Sequence, residues 1–216
     1  HLRRRRYVWA GHMREVITVR NYGRSPCSVP LGVEYDADFL DLFEVRGARR
    51  SQRGERRAAR GGPKAVVLGY VGLDGRPLEV HLEFSRAPVA EGTRERRFVL
   101  DVEPGAAADL FVTVRAFAPC DPPSDRSGFL AGLRGQKRAL RASARSLRRL
   151  ATSNERFDRW LERSSADLGL LATQLDTGPY PYAGIPWFSA PFGRDALVTG
   201  FQTLWLDTRT SRGILG

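Results

Sequence analysis

Val66-Val67-Leu68-Gly69-Tyr70-Val71 and Leu78-Glu79-Val80-His81-Leu82-Glu83-Phe84 stand on either side of Asp74-Gly75. Both flanks are rich in β-branched and aromatic residues, and Asp-Gly readily takes the backbone angles of a tight turn, so the pair predicts a β-hairpin. The neighbouring sequence has the same character. Val16, Thr18 and Arg20 alternate with Ile17 and Val19, and Asn21-Tyr22-Gly23 supplies a turn. Phe98-Val99-Leu100-Asp101-Val102 and Leu110-Phe111-Val112-Thr113-Val114 flank Pro104-Gly105, another turn. Antiparallel β-structure is expected over residues 7–118, and several short strands with such turns suggest a sandwich. Residues 46–63 carry many Arg and Gly and few large apolar groups, which predicts a mobile surface loop.

Pro119 to Gly128 is a Pro/Ser/Asp-rich break, after which the apolar period changes from 2 to 3.6. Leu130, Leu133, Leu140, Ala144, Leu147 and Ala151 fall on one helical face, and Arg134, Arg138, Arg141, Arg145 and Arg148 on a neighbouring one. Thr152-Ser153-Asn154-Glu155 reads as a capping box. Phe157, Trp160, Leu161, Leu168, Leu171 and Leu175 predict the buried stripe of the next helix, and Leu197, Phe201, Leu204 and Trp205 begin a further one. No internal repeat or low-complexity tract stands out.

Between those helices lies Pro179-Tyr180-Pro181-Tyr182-Ala183-Gly184-Ile185-Pro186-Trp187-Phe188-Ser189-Ala190-Pro191-Phe192-Gly193-Arg194-Asp195. Aromatic rings on a rigid loop are costly to leave in water unless they pack or bind. A pyranose suits them: its C–H face lies on a ring, while Arg donates to and Asp accepts from adjacent hydroxyls. Helix capping is the plainer role for Asp195, because the free N–H groups of a helix start favour a carboxylate. Both roles can hold together. Trp187, and more weakly Phe188, are candidates for lining the pocket, with core packing as the alternative; Tyr180 and Tyr182 are expected to pack as wall residues.

Gly184-Ile185-Pro186-Trp187-Phe188-Ser189, Phe192-Gly193-Arg194-Asp195 and Gln202-Thr203-Leu204-Trp205-Leu206 resemble the start of the catalytic barrel in bacterial glycogen-debranching, amylo-α-1,6-glucosidase-type proteins. Upstream, Arg14-Glu15-Val16-Ile17-Thr18-Val19-Arg20-Asn21-Tyr22-Gly23 and Tyr35-Asp36-Ala37-Asp38-Phe39-Leu40-Asp41-Leu42-Phe43-Glu44-Val45-Arg46-Gly47 are similar to that family's N-terminal domain. The resemblance covers nearly the whole chain. It implies that Arg194 and Asp195 bind the terminal glucose unit, with the catalytic carboxylates farther along the barrel than this chain reaches.

The net charge of +11 invites a nucleic-acid reading. All but two of the 35 Lys and Arg residues are Arg, the exceptions being Lys64 and Lys137, a bias that suits a GC-rich genome better than a binding surface. Cys27 and Cys120 are far apart and His1, His12 and His81 are scattered, so no metal site or disulfide framework is expected, and two buried free thiols in a reducing cytoplasm are. Asp36, Asp38, Asp41 and Glu44 lack the spacing of a calcium loop and suggest a solvated strand end or domain contact. Asp158, Glu162 and Asp167 are expected to be solvated or paired with Arg. No run of about 18 apolar residues marks a membrane span. The chain starts at His1 and ends inside a helical pattern, so a fragment of a longer protein is expected, and a true N-terminus elsewhere would hide any signal peptide.

The expected fold class is α+β multidomain: an antiparallel β-sandwich followed by linker helices and the first helices of an (α/α)6 barrel. Residues 1–118 form the sandwich, 119–151 the linker and linker helix, and 152–216 the truncated start of the barrel. The resemblance implies a glycoside hydrolase acting on α-glucan, at α-1,6 branch points of a glycogen-like polysaccharide. Substrate-binding candidates are Arg194, Asp195, Trp187 and Phe188, with no catalytic residue and no metal ligand in this chain. Asp195 is a poor general acid, because an adjacent Arg and a helix N-terminus both favour its charged form. No cofactor, nucleic-acid partner or membrane partner is expected, and a cytoplasmic location is. The competing readings are an Arg-rich nucleic-acid-binding protein and a non-catalytic carbohydrate-binding or scaffold fragment.

Overall fold

The structure, a computed structural model, describes residues 1–116, 124–146, 151–185 and 189–216, with side chains described for all of these except 143–146. The chain divides into two compact units, His1–Glu44 with Ala48–Gly135, and Val45–Gly47 with Gln136–Gly216.

Among the described residues the first unit holds nine strands: β1 (Leu2–Trp9), β2 (His12–Arg20), β3 (Cys27–Glu34), β4 (Glu55–Gly62), β5 (Ala65–Val71), β6 (Pro77–Phe84), β7 (Ala90–Glu91), β8 (Glu95–Val102) and β9 (Ala107–Ala116). A short helix, α1 (Leu42–Val45), follows β3, and α2 (Arg126–Ser146) follows β9. The strands form two antiparallel sheets, one in the order β1-β2-β9-β6-β5-β4 and one in the order β3-β8-β7. Strand formation begins at Leu2, upstream of the predicted start, because Arg3–Arg6 pair with Val16–Thr18 and Glu15 on β2 while their own side chains stay in water.

Alternation sorts the side chains. Ile17, Val19, Leu82, Phe84, Leu110 and Val112 point inward from the large sheet and meet Phe98, Leu100 and Val102 from the small one. Phe98, Leu100, Leu110 and Val66 are among the most deeply buried, each contributing roughly 1.5–3 kcal/mol by leaving water. The opposite face of the large sheet carries Val16 and Phe111, and Phe129 of α2 covers them. Tyr7 packs edge-on to Phe129 and its hydroxyl donates to the Phe129 carbonyl at 2.6 Å. Asp125 starts α2, its carboxylate accepting from the Gly128 N–H and the Ser127 hydroxyl. Phe129 was not singled out from sequence, because its apolar neighbours Leu130 and Leu133 carry the helical period as well as it does.

Turns decide the connections. The β1–β2 hairpin closes Trp9 against His12 through Ala10 (φ +50°) and Gly11 (φ +75°), both in the left-handed region as a two-residue turn requires. The predicted Asp74-Gly75 hairpin forms, with Gly75 at φ +76° and Val71 opposite Pro77. The Pro104-Gly105 turn also forms, but it does not join partner strands: β8 lies in the small sheet and β9 in the large one, so the chain arches between layers. Buried Asn21 clamps that arch. Its Nδ2 donates to the Val102 and Ser25 carbonyls, its Oδ1 accepts from the Gly23 N–H, and its carbonyl accepts from the Gly105 N–H.

Residues 46–63 are not the loop that composition predicts, since 55–62 form β4 at the sheet edge. Every residue of β4 is exposed, and an edge strand needs only one partner and no core. Its Arg residues suit an edge, where charge discourages pairing with another chain. The acidic cluster is paired with arginines of β4 and of neighbouring loops: Asp36 with Arg56 and Arg94, Asp41 with Arg50, and Glu44 with Arg53. On the inner side of β1 and β2, buried Glu15 accepts from Arg4 Nε at 2.6 Å, Arg4 Nη2 at 3.1 Å and Arg6 Nη2 at 3.0 Å. Cys27 is an exposed free thiol at the start of β3, not a buried one; Cys120 lies outside the described residues.

The second unit holds α3 (Glu155–Leu171), β10 (Ala172–Leu175), β11 (Gly178–Pro181), α4 (Gly193–Thr203) and α5 (Thr208–Leu215). Asn154, not Thr152, caps α3, accepting from the Arg156 and Phe157 N–H groups at 3.0 and 3.2 Å. Thr152 instead gives its N–H and hydroxyl to the partly exposed Asp158 carboxylate. The predicted buried stripes are largely exposed: Trp160 by 61% and Phe201 by 81%, with Leu161 buried in α3 and Ala196 and Gly200 in α4. The β10–β11 hairpin was not foreseen; Asp176 and Thr177 form its turn, between paired Leu175 and Gly178. Gly213 of α5 then lies against Gly178 and Pro179, where a Cβ on Gly213 would come 2.5 Å from the Pro179 carbonyl oxygen. Among the described residues these helices and the hairpin do not form a closed ring. Among the described residues no helix is long and apolar enough to cross a membrane.

Candidate functional site

The neck of the aromatic loop is built before its contents matter. Ala183 and Ala190 form an isolated antiparallel bridge, exchanging N–H···O bonds of 3.1 and 3.3 Å. The Tyr182 N–H donates to the Leu171 carbonyl at the end of α3, which ties the incoming strand to that helix. Gly184 follows at φ +82°, a conformation that a side chain would strain. Helix α4 then starts at Gly193 with Phe192 as its N-cap, and that residue makes no side-chain capping bond.

Asp195 sits in the first turn of α4, half-buried. The dipole of the helix start favours its charge there. Its neighbour Arg194 is almost fully exposed and reaches it only at 3.9 Å, so the pair is not locked. Asp195 lines a cleft of about 390 Å3, a size that falls in the range of about 300–1,000 Å3 typical of ligand pockets. Thr199, Gln202 and Thr203 continue along the same face of α4, Tyr182 and Gly184 come from the loop, and Leu168 and Leu171 of α3 supply apolar wall. The Thr203 hydroxyl is spent on the Thr199 carbonyl at 2.8 Å.

The structure therefore places Asp195 in a cleft with a carboxylate acceptor, a Gln amide and an aromatic ring, and leaves Arg194 at the surface beside it. Trp187 and Phe188 lie outside the described residues. Tyr182 and Gln202 were not among the predicted site residues. The signal for Gln202 was available: it falls seven residues after Asp195, two turns along one helical face. Tyr180 packs edge-on to Tyr182, with ring centres 6.2 Å apart. Among the described residues no group of three His, Cys, Asp or Glu side chains could hold a metal ion.

No curated protein matches the chain. Among solved structures it is similar to a human-microbiome protein assigned as a kojibiose phosphorylase, at 10% identity and a TM-score of 0.39, over 79% of this chain and 21% of that one. It is also similar to a polysaccharide lyase, at 14% identity and a TM-score of 0.35, over 55% of this chain and 20% of that one. The chain thus spans about a fifth of the length of these structures. Residues 1–113 match the family described as the N-terminal domain of (some) glycogen debranching enzymes, and the chain belongs to that family.

Proposed function

We propose that this chain is the opening part of a cytoplasmic glycoside hydrolase that acts on α-glucan, at the α-1,6 branch points of a glycogen-like polysaccharide. In this reading residues 1–118 are the N-terminal sandwich, 119–151 a linker, and 152–216 the first helices of an (α/α)6 barrel. The barrel reading draws support from the exposed apolar side chains of the second unit. Trp160, Leu197, Phe201 and Trp205 face water, as helices do when further helices are to cover them. The family match supports a carbohydrate-active enzyme.

The observation that carries the proposal is the Asp195 cleft. Asp195 accepts from hydroxyls of the glucose unit whose bond is cut, Gln202 can donate and accept beside it, and Tyr182 offers a ring to the sugar's C–H face. Arg194 and Trp187 complete the subsite, with Phe188 a further wall residue. The acid and base that glycoside hydrolysis requires lie elsewhere in the barrel.

Asp195→Asn in the full-length enzyme tests it. The change keeps the side chain's size and removes its charge. A charged hydrogen bond is worth roughly 1.5–3 kcal/mol, so kcat/KM on a branched α-glucan should fall about 10- to 100-fold. Thermal stability should fall by no more than about 1 kcal/mol, since Asp195 lies in the first turn of α4, where its charge meets the helix dipole. Unchanged kinetics in a less stable variant would reduce Asp195 to a helix-start carboxylate. A far larger loss, restored by a substrate with a good leaving group, would make it the general acid.

A further inference from the structure

The first unit has its own concavity, of about 670 Å3, between β5 with the loop after it and the segment that runs from Ala37 to Arg53. None of its lining residues belongs to the Asp195 cleft. Phe39 forms part of the wall, stacked on Tyr70 with ring centres 5.2 Å apart and planes 10° from parallel. Its backbone lies at φ +51°, which a bulky side chain adopts only where its surroundings compel it. They do so here. Arg53 Nη2 donates to the Asp38 and Phe39 carbonyls at 2.8 and 3.3 Å, and its Nε meets Glu44 at 3.0 Å. The Tyr70 hydroxyl accepts from the Gly54 N–H at 2.7 Å. The result is an aromatic ring presented by a braced loop, with Leu73, 69% exposed, across the opening.

The rim decides what such a ring could meet. Arg50 and Arg53 are both matched, to Asp41 at 2.7 Å and to Glu44 at 3.0 Å. Asp38 and Asp74 add two more carboxylates. In a chain of net charge +11 this rim is neutral to acidic, which disfavours phosphate and other polyanions. What remains is an apolar wall bordered by acceptors (the carboxylates), donors (the guanidiniums) and Gln52, which does both. We propose that this concavity is a second carbohydrate site, which takes a short neutral stretch of glucan with a pyranose C–H face against Phe39 and Leu73. That the saccharide is a glucan rests on the function proposed above; that it is a neutral polyol with an apolar face rests on the rim alone.

Calorimetric titration of maltoheptaose into the chain, with Phe39→Ala, Leu73→Ser and Asp195→Asn variants, tests this. Leu73 is exposed on a turn, so Leu73→Ser keeps the fold even if Phe39→Ala disturbs its loop. Phe39→Ala and Leu73→Ser should each weaken binding about tenfold, the worth of one good apolar contact, and should do so equally in the Asp195→Asn background. Binding lost in Asp195→Asn and untouched by the other two overturns the second site and leaves the proposed function standing. If maltoheptaose fails to bind but cellohexaose binds and Leu73→Ser weakens it, the site holds and the α-glucan reading fails. Binding of neither sugar, or of heparin in their place, overturns the site.

Discussion

Glu15→Gln should make the stability of the first unit less dependent on acid. Glu15 is 4% exposed and receives three hydrogen bonds from Arg4 and Arg6. Burial by itself raises its carboxyl, but the hydrogen bonds and charges of Arg4 and Arg6 outweigh that and bring it below the usual glutamate range. A lowered carboxyl in the folded state means that folding favours the ionised form. Its contribution is complete above the unfolded value of about 4.3 and is lost as pH falls through the lower folded value. Glutamine keeps one acceptor and loses the charge. Charged hydrogen bonds are worth roughly 1.5–3 kcal/mol. Both arginine side chains are more than half exposed, so water screens the pairing and the loss shrinks to about 1–2 kcal/mol. Thermal unfolding followed by circular dichroism should show the variant about 3–8 °C less stable at pH 7. The gap should narrow as pH falls below the unfolded value and close as it passes through the lower native one, where the native carboxyl itself takes up a proton. A gap of constant size at all pH values would mean that shape, not charge, was lost. A variant as stable as the native chain at pH 7 would mean that the burial cost of the ion outweighs its pairing.

Two backbone substitutions follow from the turns. Ala10→Gly should stabilise the first unit by about 0.5–1 kcal/mol, because a left-handed alanine costs about 1–2 kcal/mol and the added glycine freedom returns only part of it; a lower urea midpoint would contradict the turn geometry. Gly213→Ala should destabilise the second unit by about 1–3 kcal/mol, since its Cβ would lie 2.5 Å from the Pro179 carbonyl oxygen, despite alanine's better helix propensity; an unchanged melting temperature would show that α5 and β11 do not approach so closely.

What could be read from the chain beforehand was local. The Asp74-Gly75 hairpin is legible because its turn chemistry and both strands lie within one short window. Asp195 is legible as a carboxylate at a helix start because the apolar period that begins at Leu197 follows it directly. Partner choice is not local: nothing near Pro104-Gly105 says that β8 pairs with β3 and β9 with β2. Strand β4 escaped notice because an edge strand buries nothing, so its pattern carries no alternation. The stripes at Phe157–Leu171 and Leu197–Trp205 have true helical spacing, but spacing reports only that a face is apolar, not whether anything covers it. Tyr182 reaches the cleft through a bond between its own N–H and the Leu171 carbonyl, which no side-chain pattern records.

The layer-crossing arch after β8 also sets an order of events in time. Strand β9 sits between β2 and β6, joining Ile17 to Leu110 and Phe84 to Val112. Until β9 exists, the large sheet is two separate ribbons, β1–β2 and β4–β5–β6, with the edges of β2 and β6 still unpaired. Closure joins residues about ninety to a hundred positions apart in sequence, and such non-local pairing is slow, in the range of milliseconds to seconds. On a ribosome that adds about 5–20 residues per second, β2 waits several seconds for its partner with Val16, Ile17 and Val19 open to any passing strand. Four consecutive arginines, Arg3–Arg6, line the neighbouring strand through that interval, and their mutual repulsion keeps one nascent chain from adopting the edge of another.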